Sequence, residues 1–166
     1  TYSPTSAFDS VGEKTITITS TENASAVTTL NVDVVAVSSL NITVADTGYT
    51  STSYATTAKT FTKSNVEFSM VNFLKPSGTS NMQFRTGTTD AFSFHNSTAL
   101  PGIISKVTVQ NVSGSPSSMT LYTGVSTQAS STSGGIAAAF NSSDKTFSWD
   151  VNTAEQSKYL RLFNFT

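Results

Sequence analysis

The amino-acid sequence predicts an all-β fold. Roughly a third of the residues are Ser or Thr, which favour strands, turns and polar sheet faces over helices. Apolar and polar residues alternate in many short runs, and Gly, Pro, Asn and Ser separate those runs. Several short alternating strands with such turns between them predict an antiparallel β-sandwich.

The first two predicted strands form a hairpin, residues 15–19 and 27–35, joined across residues 22–25. Each strand has one apolar and one polar face, because its apolar residues recur at every second position. A lone hairpin is marginally stable in water, so the apolar face needs cover from this chain, from a neighbouring copy or from another domain. The residues expected to make this assembly contact are Ile16, Ile18, Leu30, Val32 and Val34.

Further strand candidates follow at intervals of about 10 to 15 residues, enough for a sandwich of about nine or ten strands. They are residues 40–44, 59–62, 66–73, 82–85, 91–95, 103–112, 119–122, 136–140, 146–151 and 159–165. A fresh strand begins where the hairpin ends, near residues 36–40. We therefore predict a partial domain at residues 1–37 and a sandwich domain at residues 38–166.

Charge and composition restrict the classes of partner. The net charge is −1 and no Lys/Arg cluster is present, which argues against nucleic acid as a partner. No apolar run is long enough to cross a bilayer, so membrane insertion is not expected. Only 11% of residues are charged, and a surface that is wet through hydroxyls and amides suits secreted or virion proteins. The absence of cysteine excludes disulfides and thiolate metal sites.

The N-terminal residues resemble a known domain type. Residues 2–18, 21–23 and 30–34 are similar to the last strands of a bacterial Ig-like domain of the surface-protein type. In that family a turn with valine, glycine and lysine leads into a Thr/Val strand, an acidic-Asn turn follows, and a valine-rich strand leaves the domain. The resemblance implies an Ig-like hairpin or partial domain, and Ig-like modules also decorate phage capsids and tails.

The rest of the chain is similar to β-sandwich modules that follow such Ig-like repeats in extracellular proteins of gut-type bacteria. The residues that carry this likeness are 82–85, 94–109, 119–124 and 159–162. The resemblance implies a jelly-roll-like or Ig-like antiparallel sandwich, found as an accessory part beside nucleases, proteases and glycosidases.

Aromatic residues offer a candidate ligand surface. Exposed rings stack on sugar faces, while Arg, Asn and Gln reach sugar hydroxyls. The candidate ligand-binding residues are Tyr49, Tyr54, Arg85, Tyr122 and Trp149. Packing in the core is the competing interpretation for each ring, and it is the simple one for most of the eleven Phe.

Catalysis and cofactor binding are not expected. No nucleophile motif, metal-ligand spacing or phosphate loop appears in the sequence. His95 is the only histidine, so an imidazole zinc site is impossible, and a hydrogen-bonded histidine at a strand end is the simpler interpretation. A structural calcium ion at Asp144, Asp150 and Asn152 is an alternative, although no calcium-binding motif is present.

These observations favour a non-catalytic attachment or assembly module. We expect it to be extracellular, at the cell surface or on a virion, and to contact other protein subunits by strand addition through its hairpin. The alternative is a carbohydrate-binding accessory module of a secreted enzyme or adhesin, with cell-surface glycans as its partners.

Overall fold

The computed structural model describes residues 2–3, 12–23, 25–34, 39–87, 91–114 and 116–163. The chain divides into two compact units, Thr1–Ser39 and Leu40–Thr166.

The first unit contains an antiparallel three-stranded sheet in the order β1-β2-β3. Its strands are β1 (Tyr2–Ser3), β2 (Gly12–Thr19) and β3 (Val27–Val34). The hairpin turn forms because the Ser20 hydroxyl accepts hydrogen bonds from the backbone N–H groups of Glu22 and Asn23, both at 3.2 Å. The Asn23 side chain accepts another from Ser25 N at 3.0 Å.

The described residues of the second unit form ten strands, all in antiparallel pairs. They are β4 (Lys59–Lys63), β5 (Val66–Val71), β6 (Phe73–Leu74), β7 (Gln83–Phe84), β8 (Ser93–Asn96), β9 (Lys106–Val109), β10 (Ser118–Gly124), β11 (Ile136–Ala139), β12 (Phe147–Asp150) and β13 (Tyr159–Phe163). Six strands form one sheet in the order β11-β10-β13-β8-β5-β4, while β9 pairs with β12 and β6 with β7. The all-β prediction is confirmed, and the layers are those of a β-sandwich.

The core lies on one face of the six-stranded sheet. Leu121 and Leu162 point from the sheet into this core, where they share a buried cluster with Phe147 and Trp149 of β12 and with Phe73 of β6. Phe73 and Phe147 are completely buried, and each such ring contributes about 1.5–3 kcal/mol of apolar transfer free energy. The small sheets therefore form the second layer of the sandwich.

One predicted strand is wrong. Residues 40–44 are irregular backbone that leads into a 3-10 turn at Ala45–Thr47. The Asp46 carboxylate explains the difference, since it accepts hydrogen bonds from the Thr43 backbone N–H at 2.7 Å and the Thr43 hydroxyl at 2.8 Å. The Thr43 N–H, which a β-ladder would need as a donor, is therefore bound by the Asp46 side chain. Lys63 Nζ lies 2.6 Å from the other Asp46 oxygen and ties this turn to β4.

Candidate functional site

The hairpin has a largely exposed apolar face. Ile16 lies opposite Leu30 in the register, and Ile18 and Val32 fall on the same side of the sheet. Leu30 is 53% exposed and Ile18 is 43% exposed, whereas Ile16 and Val32 are half-buried. We call these four residues the hairpin face. Val34 has the matching register position, but its side chain is outside the described part of the structure.

Strand β3 also has a free edge. It is the last strand in the order β1-β2-β3, and its eight residues pair on one side only within the described residues. An edge strand presents unpaired backbone N–H and C=O groups that can pair with another chain. The hairpin therefore combines an exposed apolar face with an open hydrogen-bonding edge.

The structure separates the five predicted ligand-binding residues. Trp149 is 3% exposed and donates from Nε1 to Ile136 O at 2.9 Å, so it belongs to the core. Tyr122 is 7% exposed. Neither ring presents a face to solvent for stacking on a sugar, because Trp149 packs in the core and Tyr122 is covered beside the Arg161 guanidinium on the opposite face of the sheet.

Tyr54 and Arg85 do come together. The Arg85 guanidinium lies 5.9 Å from the centroid of the half-buried Tyr54 ring, and Gln83 Nε2 donates to the Tyr54 hydroxyl at 3.0 Å. Tyr49 packs edge-on against Phe73, with ring centroids 4.6 Å apart, and donates its hydroxyl hydrogen to Ser53 O. Tyr49 is thus a packing residue at the base of the loop that carries Tyr54.

A polar row crosses the face of the six-stranded sheet that points away from the core. Tyr122 of β10 lies opposite Arg161 of β13, Arg161 lies opposite His95 of β8, and His95 lies opposite Ser69 of β5. Facing residues of neighbouring antiparallel strands are about 5 Å apart, so these side chains are adjacent. We call these four residues the outer-face row.

Arg161 is buried without an acidic partner. Arg161 is only 8% exposed. Within the described residues, no carboxylate makes an ion pair with it. Nε donates to Ser93 Oγ at 3.0 Å and Nη1 donates to Ser131 O at 2.6 Å. The guanidinium carbon lies 3.9 Å from the Phe163 ring centroid, and this stacking holds the planar group in place.

Burial lowers the pKa of both basic side chains in the outer-face row. Burial, and then the positive charge of Arg161, lower the pKa of His95 below its ordinary 6.5. The imidazole is therefore neutral at neutral pH. Burial also lowers the pKa of Arg161, but an arginine stays charged. The outer-face row carries one positive charge beside neutral polar groups.

The three residues of the alternative calcium site each have a different partner. Asp144 accepts a hydrogen bond from Asn141 Nδ2, Asp150 lies 3.7 Å from Lys106 Nζ, and the Asn152 side chain caps a 3-10 turn at Ala154 N. Among the described residues no group of three or more His, Asp or Glu has the geometry to hold a metal ion. Within the same residues, no helix has the length and apolarity to cross a membrane.

Comparison with known proteins adds no assignment. No protein-family model matches this chain, and neither a curated protein nor a solved structure does. The resemblance to Ig-like domains stays a prediction.

Sequence reasoning singled out His95 and Tyr122 but missed Arg161 and Ser69. The signal in the sequence is the position of Arg161 between Leu160 and Leu162, a charge inside an apolar strand. Alternation places that charge on the face away from the core, but nothing in the strand shows that the face is buried. The burial depends in part on the Val125–Gly135 segment, whose Ser131 carbonyl contacts the guanidinium.

Proposed function

We propose that this chain is a non-catalytic attachment and assembly module of an extracellular or virion surface, and that it joins a neighbouring copy through its hairpin. The observation that carries the proposal is the exposure of Leu30 and Ile18 on the hairpin face, next to the free edge of β3.

The apolar face supports association because exposed apolar surface gains about 25 cal/mol for each Å² removed from water. Large apolar side chains that lie side by side on a sheet face are typical of protein contact surfaces. The hairpin face meets that description, since Leu30 and Ile18 are neighbours across β2 and β3.

The free edge supports a specific geometry. Strand addition supplies main-chain hydrogen bonds, and the alternating side chains on one face supply selectivity. Natural edge strands that avoid such pairing are short, charged or bulged. Strand β3 is eight residues long, and its sequence has a single charged residue, Asp33.

The test is the oligomeric state of the protein across a range of concentrations, measured by sedimentation velocity. We expect the wild-type chain to associate and Leu30→Lys to shift the equilibrium to monomer. Thr29→Lys is the matched control, because it adds the same charge to the same strand on the opposite, polar face. A wild-type chain that stays monomeric at every concentration, or two variants with equal effects, contradicts the proposal.

A second candidate function is carbohydrate binding at Tyr54. The observation in its favour is the contact of Tyr54 with both Gln83 and Arg85, which joins a ring with amide and guanidinium groups at one place. A glycan array with the wild type and Tyr54→Ala tests it: we expect binding that Tyr54→Ala abolishes. Tyr49→Phe is the control, since it keeps the packing ring and removes only the hydroxyl.

A further inference from the structure

The outer-face row has more hydrogen-bonding capacity than the described residues use. The Arg161 guanidinium has five N–H donors, of which two have partners. The Tyr122 hydroxyl, the His95 imidazole and the Ser69 hydroxyl make no side-chain hydrogen bond within the described residues. Tyr122 and Ser69 are both 7% exposed. Buried polar groups in native proteins are almost always paired, so the polar atoms of this row bind either water or a ligand.

The polar atoms of the row can still be reached from outside. The only fully enclosed side-chain atom without a partner in the described residues is Ser157 Oγ, which lies elsewhere. The polar side-chain atoms of Tyr122, His95 and Ser69 therefore keep some accessible surface. Beyond Ser69, the same face continues to Thr60 of β4, which is exposed. The row is covered near Arg161, His95 in its middle is half-buried, and the exposed Thr60 lies just beyond its Ser69 end.

The covered end is built by the segment that follows β10. Ser131 O accepts from Arg161 Nη1, and the backbone at Gly135 lies so close to Tyr122 that an added Cβ would be 2.5 Å from Tyr122 Cε1. This close approach fixes the ring of Tyr122 beside the guanidinium, whose carbon is 5.9 Å from the ring centroid.

We propose that the outer-face row binds a hydroxyl-bearing monocarboxylate, of which a uronic acid is the simplest example, with Arg161 as the anchor for the carboxylate. A buried guanidinium without a counter-charge is costly, and a planar carboxylate matches its paired N–H donors. Tyr122, His95 and Ser69 supply neutral donors and acceptors for the hydroxyl groups of the ligand. This site does not depend on the assembly role of the hairpin.

The charge of the row favours a carboxylate over a phosphate. Arg161 gives one positive charge and His95 is neutral at neutral pH, so a single negative charge is balanced and a phosphate dianion is not. The other ionisable groups on this face are Tyr159 and the exposed Glu67, two residues from Ser69. Glu67 adds negative charge at the Ser69 end and further disfavours a dianion.

The only histidine of the chain makes the test direct, because its imidazole gives one set of NMR signals. D-glucuronate should shift the His95 signals saturably, while D-glucose, which lacks the carboxylate, should leave them unchanged. Arg161→Gln should weaken binding at least about tenfold, as expected for a lost charge-assisted pair. Lys106→Gln is the control, because it removes one positive charge from an exposed residue of β9 outside the outer-face row, and it should bind glucuronate as the wild type does.

Two conservative substitutions test the site with little risk of unfolding the protein. Tyr122→Phe and Ser69→Ala each remove one oxygen, and each should weaken glucuronate binding severalfold while the fluorescence of Trp149 stays unchanged. The proposal is overturned if glucuronate and glucose act alike, if no saturable shift appears at millimolar concentrations, or if these two variants bind as the wild type does. Tighter binding of inorganic phosphate than of glucuronate would overturn the assignment of a carboxylate.

Discussion

The side-chain oxygen of Asn96 accepts a hydrogen bond of 2.7 Å from the backbone N–H of Leu160. The regular ladder between β8 and β13 has two residue pairs, Arg161 with His95 and Leu162 with Phe94. Asn96 then continues the pairing with its side chain. Its Nδ2 donates to Lys158 O at 3.0 Å and to Thr98 O at 2.8 Å.

Asn96→Ala should destabilise the protein by about 2–4 kcal/mol, because it leaves the buried backbone N–H of Leu160 without a partner and removes two further, partly buried hydrogen bonds to Thr98 O and Lys158 O. Urea unfolding followed by the fluorescence of Trp149 measures this loss. Asn141→Ala is the control, since Asn141 is exposed and bonds only within its own turn. A loss no larger than that of the control would contradict the role assigned to Asn96. Complete burial of Asn96 also means that its Asn-Ser-Thr sequon cannot be glycosylated in the folded chain.

Gly135→Ala should destabilise the segment that covers Arg161. An added Cβ would lie 2.5 Å from Tyr122 Cε1 and 2.6 Å from Thr120 Cγ2, so the backbone or the ring must move. We expect a lower Tm and a shift of the His95 NMR signals. Gly102→Ala is the matched control, because no atom lies within 4 Å of the place that a Cβ at this residue would take. Equal Tm values for the two variants would argue against close packing at Gly135.

The ion pair of Asp46 and Lys63 should make stability depend on acidity. The hydrogen bond from Lys63, then those from Thr43, lower the pKa of Asp46 from 3.8 to about 2. The unfolded chain thus takes up this proton at a higher pH than the folded one. The stabilisation is present above about pH 4 and is lost as the pH falls toward 2. The Tm difference between wild type and Asp46→Asn should shrink over this window, and a constant difference would contradict the assignment.

His95 should give a second, separate pH dependence. Its pKa is lowered in the folded chain, so the unfolded chain binds the proton first as the pH falls below 6.5. The contribution of His95 to stability is therefore complete above about pH 6.5 and declines as the solution becomes more acidic. The groups that face His95 across the sheet are Arg161 and Ser69. His95→Gln should remove the decline between pH 7.5 and 5, and Tm measured at both pH values checks it.

Local patterns were enough to predict the hairpin and the all-β class. Alternation fixes which residues share a face, and the register of Ile16 with Leu30 agrees with it. Local patterns did not predict the features that depend on contacts outside the local strand pattern. Trp149 is a candidate ligand-binding residue by sequence, with core packing as the competing interpretation, and it lies in the core because β12 packs on the six-stranded sheet. Asp46 binds Thr43 and turns a predicted strand into irregular backbone.

The burial of Arg161 shows the same limit for the site. Its neighbours in the outer-face row come from β10, β8 and β5, and it bonds to Ser131 thirty residues before it in the chain. None of these partners is close in sequence. Only the strand order brings them together, and strand order is not contained in any one segment.

The edges of the sheets bear on the stoichiometry of assembly. The β4 edge has a lysine at each end, Lys59 and Lys63, and the four-residue β11 edge has its Ile136 carbonyl bonded to Trp149. Both features blunt pairing with another chain, whereas β3 has neither. Two copies that pair β3 with β3 about a twofold axis use up both open edges at once. The proposed contact would therefore close on itself and give a dimer rather than a filament.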